Sequence, residues 1–478
     1  MKKTIVTALA VLTLFSCKNE TEKTAENSKT EIAKFSPEVE ENGIIYEVNI
    51  RQYSPEGTFN AFTKDIPQLK ELGVKIIWVM PIFPISQTKR KATGGDDNKF
   101  ASEMPKEEQH KYLGSYYAVS DFKKVNLEFG TIEDFRNLVK TAHDNGMYVI
   151  LDWVPNHTGW DHVWIKEHPE FYTKNAKGEI IDPINPETGK SWGWSDVADL
   201  NYDNKELRKE MTSDMLHWIK NENIDGFRCD VAGNVPLDFW QQAIPQLRRE
   251  KNIFMLAEAW EPELLKDGLF DMAYGWEAHH TMNRIAQGKN TVKEWDAYIK
   301  KVNKDYEADD ILMNFVDNHD ENSWNGTIKG RLGKGEEAMT ALSYVMPGMP
   351  LIYSGNEYGL DHSLKFFEKD SIPKTKGKDW ELRAKLGKLK AENPALNGGK
   401  NKAKYSRIKT DDETNILAFI REKNGKKVVY IANFSNKPIN SKVAIKGDFT
   451  NYMTGKPMSL KDNEVITLQP FQYFILNN

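Results

Sequence analysis

Short apolar runs recur between residues 43 and 354 and alternate with longer amphipathic segments. The runs are rich in β-branched and aromatic residues, and the segments between them have helical periodicity, a pattern typical of βα units in a parallel sheet. Eight such units close a barrel. The predicted strands are Gly43–Ile50, Lys75–Met80, Tyr148–Asp152, Asp225–Cys229, Ile253–Ala257, Leu269–Tyr274, Ile311–Val316 and Pro350–Ser354.

Local signals agree with this alternation and set the limits of the barrel. Thr131 is followed three residues later by Asp134, which is the spacing of a capping box at a helix start. Beyond about Asn393, strand-like runs follow one another with turns and no helical segments between them. We therefore predict an α/β fold, with a (β/α)8 TIM barrel over residues 39–392 and a C-terminal antiparallel β-sandwich over residues 393–478.

Two connections of the predicted barrel are longer than ordinary loops, which often indicates a functional role. Residues 155–204 follow the third strand, contain several tryptophans and predict a small inserted domain beside the rim of the barrel. Residues 81–111 follow the second strand and are polar, with Gly-Gly-Asp-Asp-Asn at residues 94–98. We interpret this second connection as a solvated loop, with an oxygen-rich ion cluster as the alternative.

The N-terminus has the features of a targeting segment. The chain begins with Met-Lys-Lys, continues with an apolar run too short to span a bilayer, and reaches a small-residue site at Cys17. Residues 1–17 resemble a bacterial lipoprotein signal in which Cys17 is lipidated; an ordinary secretory signal is the alternative. Residues 18–38 are mostly polar and predict a solvated tether. We expect a lipoprotein anchored to a bacterial membrane, facing the periplasm or the cell surface.

Four apolar runs lead directly into carboxylates. A single carboxylate after a strand usually caps the next helix. Four in succession are hard to explain as caps, and the carboxyl ends of parallel barrel strands meet at one rim, where the catalytic residues of this fold lie. The sequence therefore predicts a hydrolase that works with two or three acids. The four positions are Asp152, Asp230, Glu258 and Asp320.

Two of these acids have neighbours that suit cleavage of a glycosidic bond. This reaction needs an acid at the leaving oxygen and a second carboxylate that attacks the anomeric carbon or activates water. Arg228 lies two residues before Asp230 on a predicted strand, hence on the same face, where it would keep Asp230 ionised as a nucleophile. Glu258 lies between two alanines, where an apolar surrounding would keep it protonated as a general acid.

Composition narrows the classes of partner. The 478-residue chain has 65 basic and 70 acidic side chains and a net charge of −5, so it has no large basic field to attract nucleic acid. Its 13 Trp and 18 Tyr suit a core, and they also suit stacking on sugar rings. Cys229 lies inside a predicted apolar strand next to charged residues, and we interpret it as a core side chain rather than a nucleophile.

The ordered motifs resemble those of the α-amylase family of glycoside hydrolases, family 13, from about Gly43 to the C-terminus. The resemblance implies a retaining hydrolase that cleaves α-1,4-glucosidic bonds in starch-type glucans and maltooligosaccharides through a covalent glycosyl-enzyme intermediate. It implies an α-glucan as partner and no organic cofactor. The matching segments are Gly114-Ser115-Tyr116-Tyr117, Asn156-His157, Ala198-Asp199-Leu200-Asn201, Arg228 with Asp230, Glu258 and His319-Asp320.

The resemblance also implies roles for single residues. Asp230 would be the nucleophile, Glu258 the acid/base, and Asp320 a third carboxylate that binds sugar hydroxyls and stabilises the transition state. The implied substrate-binding residues are Tyr117, His157, Arg228, His319 and Trp260.

A calcium ion is a further implication of the resemblance. Asn156 and Asp199 match family positions that help to hold Ca²⁺, and oxygen ligands of this kind suit that ion. Family members often add a histidine four residues after the nucleophile, where this chain has Asn234. Calcium binding and a purely structural role of Asn156 therefore both stay open.

Other functions remain possible at this stage. The same acids would serve a cyclomaltodextrinase-like or neopullulanase-like enzyme, or an α-glucan transglycosylase of the same family. The unusual sequence of residues 230–234 leaves the choice of acceptor open. A lipid-anchored glucan-binding protein with an inactive barrel would lack a catalytic carboxylate, and none is missing. A barrel with metal-based chemistry would need a histidine pair at ligand spacing, which the sequence does not have.

Overall fold

The structure, a computed structural model, describes residues 35–185, 188–462 and 464–478, apart from the side chain of Asp96. The proposed signal with Cys17 lies outside the described residues, as does the tether up to residue 34. The tether prediction fails at its end, because packing begins at Phe35. This apolar ring is buried and stacks on Phe254 at 5.1 Å between ring centroids, and the first helix starts at Pro37.

Eight parallel strands form a closed barrel, as the apolar runs predict. Their order around the barrel is β1-β10-β9-β8-β7-β6-β3-β2, and β4 pairs with β5 in a small antiparallel sheet on the connection after β3. The first ten strands are β1 (Ile45–Val48), β2 (Ile76–Val79), β3 (Tyr148–Trp153), β4 (His157–Gly159), β5 (Val197–Asp199), β6 (Gly226–Cys229), β7 (Phe254–Ala257), β8 (Met272–Tyr274), β9 (Leu312–Asn314) and β10 (Met349–Tyr353).

Helices cover the outside of the barrel. The predicted capping box is confirmed: Thr131 and Asp134 exchange side-chain and backbone hydrogen bonds at the start of α4. Among the described residues, every helix is too short or too polar to span a bilayer. The α-helices are α1 (Pro37–Asn42), α2 (Ile50–Tyr53), α3 (Phe59–Thr63), α4 (Ile132–Asp144), α5 (Val163–Glu167), α6 (Lys205–Glu222), α7 (Leu237–Glu250), α8 (Trp276–Ala286), α9 (Val292–Asp305), α10 (Ile328–Leu332), α11 (Glu336–Val345) and α12 (Lys378–Glu392).

Two apolar layers hold the barrel. Side chains from alternate strand positions fill its interior, among them Ile45, Trp78, Ile150, Leu256 and Met313. The opposite faces of the same strands pack against the helices. Because successive side chains of a strand alternate between the two layers, these strands are apolar throughout, as expected for a parallel sheet buried on both faces.

The C-terminal part is built from antiparallel sheets, as predicted. Six strands follow the order β11-β12-β13-β18-β15-β16, and β14 pairs with β17. Apolar side chains of the two sheets form one cluster, and Tyr430 ties it to the barrel by donating to the carbonyl of Ala338 in α11 at 2.8 Å. The strands are β11 (Lys404–Arg407), β12 (Ile416–Lys423), β13 (Lys426–Asn433), β14 (Ile439–Val443), β15 (Gly447–Asn451), β16 (Lys456–Leu460), β17 (Glu464–Leu468) and β18 (Tyr473–Asn477).

Candidate active site

The predicted acids converge at the carboxyl ends of the barrel strands. Asp152 lies near the end of β3, Asp230 directly follows β6, and Glu258 directly follows β7. Asp320 lies beyond β9 at the start of a single π-helical turn. Because the strands are parallel, their carboxyl ends share one rim, and all four carboxylates reach it.

Arg228 is the centre of this group. Its side chain is fully buried, and its guanidinium contacts three acids: Nη1 lies 2.9 Å from Asp152 Oδ1 and 3.0 Å from Asp230 Oδ1, and Nη2 lies 2.9 Å from Glu258 Oε2. Nε donates to the hydroxyl of Tyr274 at 3.1 Å. A buried positive charge needs partners that offset the loss of water, and here three acids provide them, so Arg228 fixes the spacing of the acids.

The electrostatics of Asp230 differ from the prediction. We expected Arg228 to dominate and hold Asp230 ionised. Instead, burial raises the pKa of Asp230 well above its usual range; Arg228 opposes the shift, and the charges of Glu258, Asp152 and Asp320 add to it. Sequence spacing identified the arginine correctly but did not show that it is shared among three acids.

Glu258 does not lie in the apolar surrounding predicted for it. Besides the contact with Arg228, its Oε2 accepts a hydrogen bond from the backbone N–H of Val231 at 2.8 Å. Val231 has φ 37° and ψ 46°, a left-handed conformation that is strained for a β-branched residue. The backbone after Asp230 is therefore bent so that its N–H points at Glu258.

A second charged chain supports the site from the side of β1. His319 is buried, its Nδ1 lies 2.5 Å from Glu47 Oε1, and its Nε2 lies 2.7 Å from the Tyr117 hydroxyl. Burial alone would lower the pKa of His319, but the charges of Asp320 and Glu47 outweigh it and raise that pKa to about 9. His319 is therefore a cation at neutral pH, and both ring nitrogens donate.

Tyr117 connects His319 to Asp152 by hydrogen bonds. Its hydroxyl donates to Asp152 Oδ2 at 3.1 Å, and the indole N–H of Trp78 donates to the same oxygen at 3.1 Å. Arg228 donates to the other oxygen, so both carboxylate oxygens of Asp152 accept hydrogen bonds, and the residue is fully buried. Its place beneath the other acids agrees with a structural role.

His157 lines the site in its neutral form. Burial lowers its pKa to about 3. Its Nδ1 lies 3.2 Å from Asn156 Nδ2, which can only donate, so the ring proton is on Nε2 and is available to a ligand.

The predicted calcium ligands Asn156 and Asp199 lie close together, because His157 pairs with Asp199 across β4 and β5. Burial raises the pKa of Asp199 to about 6. Ca²⁺ takes six to eight oxygens, so these two side chains would need backbone carbonyls and water to complete a shell. Within the described ranges, no group of three or more His, Cys, Asp or Glu side chains is arranged to hold a metal ion.

The acids open into a cleft of about 580 Å³. Its floor consists of Asp230, Glu258, Asp320, His319 and Tyr117 above the buried Arg228 and Asp152. Its walls are aromatic: Trp192 and Trp194, stacked at 5.6 Å, belong to the connection after β3, and Trp324, Phe366 and Phe367 follow β9 and β10.

Several of these residues were missed by sequence reasoning. Glu47 could have been noticed, because a carboxylate inside the apolar strand β1 requires a partner. Trp324, Phe366 and Phe367 carried no signal, since aromatic residues after a strand are common in cores. Trp260, by contrast, was predicted to bind substrate but lies outside the residues that line the cleft; its side chain is 62% exposed beside Tyr306.

The fold and this site together define an enzyme built on a (β/α)8 barrel, with its chemistry at the carboxyl ends of the strands. The family model of the alpha amylase catalytic domain matches residues 21–423. The chain therefore belongs to the α-amylase family, in which homologues are glycoside hydrolases and transglycosylases acting on glucans.

Individual relatives support this assignment. The chain is 22% identical to Alpha-amylase MalA of Haloarcula japonica over 88% of this chain and 59% of MalA. It is 25% identical to the 4-alpha-glucanotransferase of Thermotoga maritima over 66% of this chain and 72% of that protein. The crystal structure of the noncanonic maltogenic alpha-amylase AmyB from Thermotoga neapolitana covers 91% of this chain and 98% of AmyB, with 27% identity and a TM-score of 0.78.

The chain spans less than two thirds of the length of the first curated relatives, 59% for MalA and 65% for Alpha-amylase 3 of Dictyoglomus thermophilum. These relatives include both an alpha-amylase and a 4-alpha-glucanotransferase.

Proposed function

We propose that this protein hydrolyses α-1,4-glucosidic bonds in starch-type glucans and maltooligosaccharides, with retention of configuration. The observation that carries the proposal is the convergence of Asp230, Glu258 and Asp320 in one cleft with aromatic walls. Aromatic faces stack on the apolar faces of sugar rings, and paired carboxylates are the groups that glycosidic cleavage requires.

In the first step, Glu258 protonates the glycosidic oxygen while Asp230 attacks the anomeric carbon. The bond to the leaving sugar breaks, and a covalent bond to Asp230 forms. Asp152, Asp230 and Glu258 contact Arg228, and Asp320 lies beside His319, so the negative charges of the floor are partly balanced by two cations. We assign the transferred proton to Glu258 and the attack to Asp230, the roles that the resemblance to the α-amylase family implies for these two positions.

In the second step, Glu258 accepts a proton from water, and the resulting nucleophile releases the sugar from Asp230. Asp320 and the Nε2–H of His157 line the same cleft, and we assign them to the binding of sugar hydroxyls. Positive charge that develops at the anomeric carbon would be stabilised by the carboxylates around it.

The test of this assignment is a pair of isosteric variants. Asp230→Asn and Glu258→Gln should each lower starch hydrolysis by about 10⁴-fold or more, because each removes a group that acts in a covalent step. Leu127→Ala, an exposed position away from the cleft, is the control. Activity of either variant near the wild-type rate would refute the mechanism.

A transglycosylase or a cyclomaltodextrinase-like or neopullulanase-like enzyme is the second candidate. It is supported by the similarity to a 4-alpha-glucanotransferase and by the strained Val231 beside Glu258, where an acceptor would enter. Chromatography of the products from maltoheptaose, cyclodextrin and pullulan separates these functions. Products longer than the substrate would indicate transfer, and preferred cleavage of cyclodextrin or pullulan would indicate the other enzymes.

Calcium binding at Asn156 and Asp199 is a further part of the proposal. The buried carboxyl of Asp199 supports it, since a cation would offset the burial that raises its pKa. Bound Ca²⁺ would act on structure, by fixing the connection that carries Trp192 and Trp194. Chelator treatment should lower the melting temperature, and readdition of Ca²⁺ should restore it; an unchanged melting temperature would remove calcium from the proposal.

We also propose that the protein is anchored to a bacterial membrane through a lipid on Cys17, with the enzyme exposed to the periplasm or the outside. The N-terminal sequence supports this location. Metabolic labelling with a fatty acid and fractionation of the wild type and of Cys17→Ser test it. Equal release of both proteins into the soluble fraction would contradict the anchor.

A further inference from the structure

The connection between β2 and α4 contains a segment that crosses the rim of the barrel. We call residues 91–98 the bridging loop. At one end, Lys91 Nζ lies 3.2 Å from Asp196 Oδ1 in a buried ion pair and donates to the carbonyl of Gly193 at 3.2 Å. Asn98 Nδ2 donates to the same carbonyl at 3.3 Å. The bridging loop is therefore fastened to the wall that carries Trp192 and Trp194.

The bridging loop also contacts the opposite wall. The backbone of Gly94 packs so closely on Trp324 that a Cβ added there would lie 2.9 Å from Cη2 of the indole, and 3.3 Å from Cε2 of Phe367. Any side chain at this position would push the indole away. Farther along the same connection, Leu113 N donates to the carbonyl of Phe367 at 2.6 Å. The polar loop predicted to be solvated thus joins the two aromatic walls.

The order of the strands shows which end of the cleft the bridging loop crosses. Glu258 follows β7, and β1 is four strands away from β7 in either direction around the barrel. On one side of β1 lie β10 and β9, which carry Phe367 and Trp324, and on the other side lie β2 and β3. The bridging loop therefore spans the rim opposite Glu258.

The role proposed for Glu258 indicates which part of the substrate would lie at the bridging loop. A general acid protonates the leaving oxygen, so the leaving part of the substrate extends on its side of the cleft. That side carries the exposed Trp260. The non-reducing part of the substrate then extends towards the bridging loop, where Gly94 and Trp324 meet.

We propose that the bridging loop closes the non-reducing end of the cleft, so that the enzyme removes short oligosaccharides from chain ends rather than cutting inside long chains. This inference rests on the proposed glycosidase function. The residues that determine it are Gly94, Trp324 and the Lys91–Asp196 ion pair that fixes the loop.

The test compares two forms of p-nitrophenyl maltoheptaoside, one free and one carrying a 4,6-O-ethylidene group on its non-reducing glucose. Chromatography of the nitrophenyl-bearing fragments gives the initial cleavage rate of each. A closed end should make the free form react about tenfold faster or more, because a blocked end does not fit a pocket closed by backbone and indole. Equal rates would overturn the closed end while leaving the hydrolase function intact.

The variant Trp324→Ala tests whether the contact of the bridging loop with Trp324 closes the cleft. Its side chain is partly exposed, so the variant should fold, and its melting temperature checks this. The preference for the free substrate should fall to about threefold or less, whereas Leu127→Ala should keep the wild-type ratio. An unchanged ratio in Trp324→Ala would overturn the role of the Gly94–Trp324 contact. Failure of the wild type to cleave the free substrate or any α-glucan would refute the proposed function itself.

Discussion

At the floor of the cleft, Arg228 and Asp152 are fully buried and are joined to each other and to Asp230 by ion pairs near 3 Å. On the walls, Trp192 and Trp324 expose 41% and 47% of their surfaces and contact mainly other aromatic rings. The floor cannot lose a member without stranding a buried charge, whereas a wall residue can be removed at the cost of contact area alone. Changes to the floor should therefore affect stability and turnover, and changes to the walls should affect binding and the choice of substrate.

The largest effect is expected from Asp152→Asn. This change removes one charge from the buried floor and leaves Arg228 without its most deeply buried partner, so the free energy of unfolding should fall by about 3 kcal/mol. Urea denaturation measures this loss, and kcat should fall as well, because Tyr117 and Arg228 each lose their contact with a charged carboxylate. Asp361→Asn, at an exposed ion pair with Lys329, is the control and should change stability by less than about 1 kcal/mol. Equal losses in the two variants would show that the floor is not special.

The next effect concerns His319 in the floor, which should make the free energy of unfolding depend on pH. The pKa of His319 is raised from the ordinary 6.5 to about 9 in the folded protein. A raised histidine pKa stabilises the protein fully below pH 6.5, and this stabilisation is lost as pH rises towards 9. The shift corresponds to roughly 3 kcal/mol over that window.

Unfolding in urea at several pH values between 6 and 9 measures this loss. The variant His319→Gln, which keeps hydrogen-bonding capacity but cannot take up a proton, should show a much flatter profile over the same range. A wild-type profile as flat as that of the variant would mean that His319 is neutral, and the charged chain from Glu47 to Tyr117 would then need another explanation.

The same contrast explains what the sequence could and could not predict. The barrel strands were predictable because a strand buried on both faces must be apolar, and the acids of the floor were predictable because they lie at or shortly beyond the ends of apolar runs. Glu47 contacts His319 across 272 positions of sequence, and only the closure of the barrel brings them together. The sharing of Arg228 among three acids likewise depends on side-chain positions that spacing does not define.

For the walls of the cleft, the bridging loop shows what the sequence could not predict. Its composition is polar and rich in glycine, which normally predicts a solvated loop. Its position depends on contacts with residues far away in sequence, namely Asp196 and Trp324. Gly94 carries no local periodicity, and its close contact with the Trp324 ring depends on the fold alone.

The smallest effect is expected on the walls, from Trp192→Ala. Because its indole is partly exposed and its one ring contact among the described residues is Trp194, its loss should leave the melting temperature nearly unchanged. Sugar stacking of the kind proposed contributes to binding in the ground state and in the transition state alike, so KM for maltoheptaose should rise about five- to tenfold with little change in kcat. Steady-state kinetics separates the two constants.

The matched control is Val163→Ala, which lies in α5 on the same connection after β3, is partly exposed, and does not line the cleft. It should leave both constants unchanged. If Trp192→Ala instead lowered kcat as strongly as the change at Asp152, the indole would take part in holding the floor, and the separation between a charged floor that sets turnover and aromatic walls that set binding would fail. If KM did not change, the glucan would follow a path that avoids this wall, and the pair of Trp192 and Trp194 would be packing rather than a sugar platform.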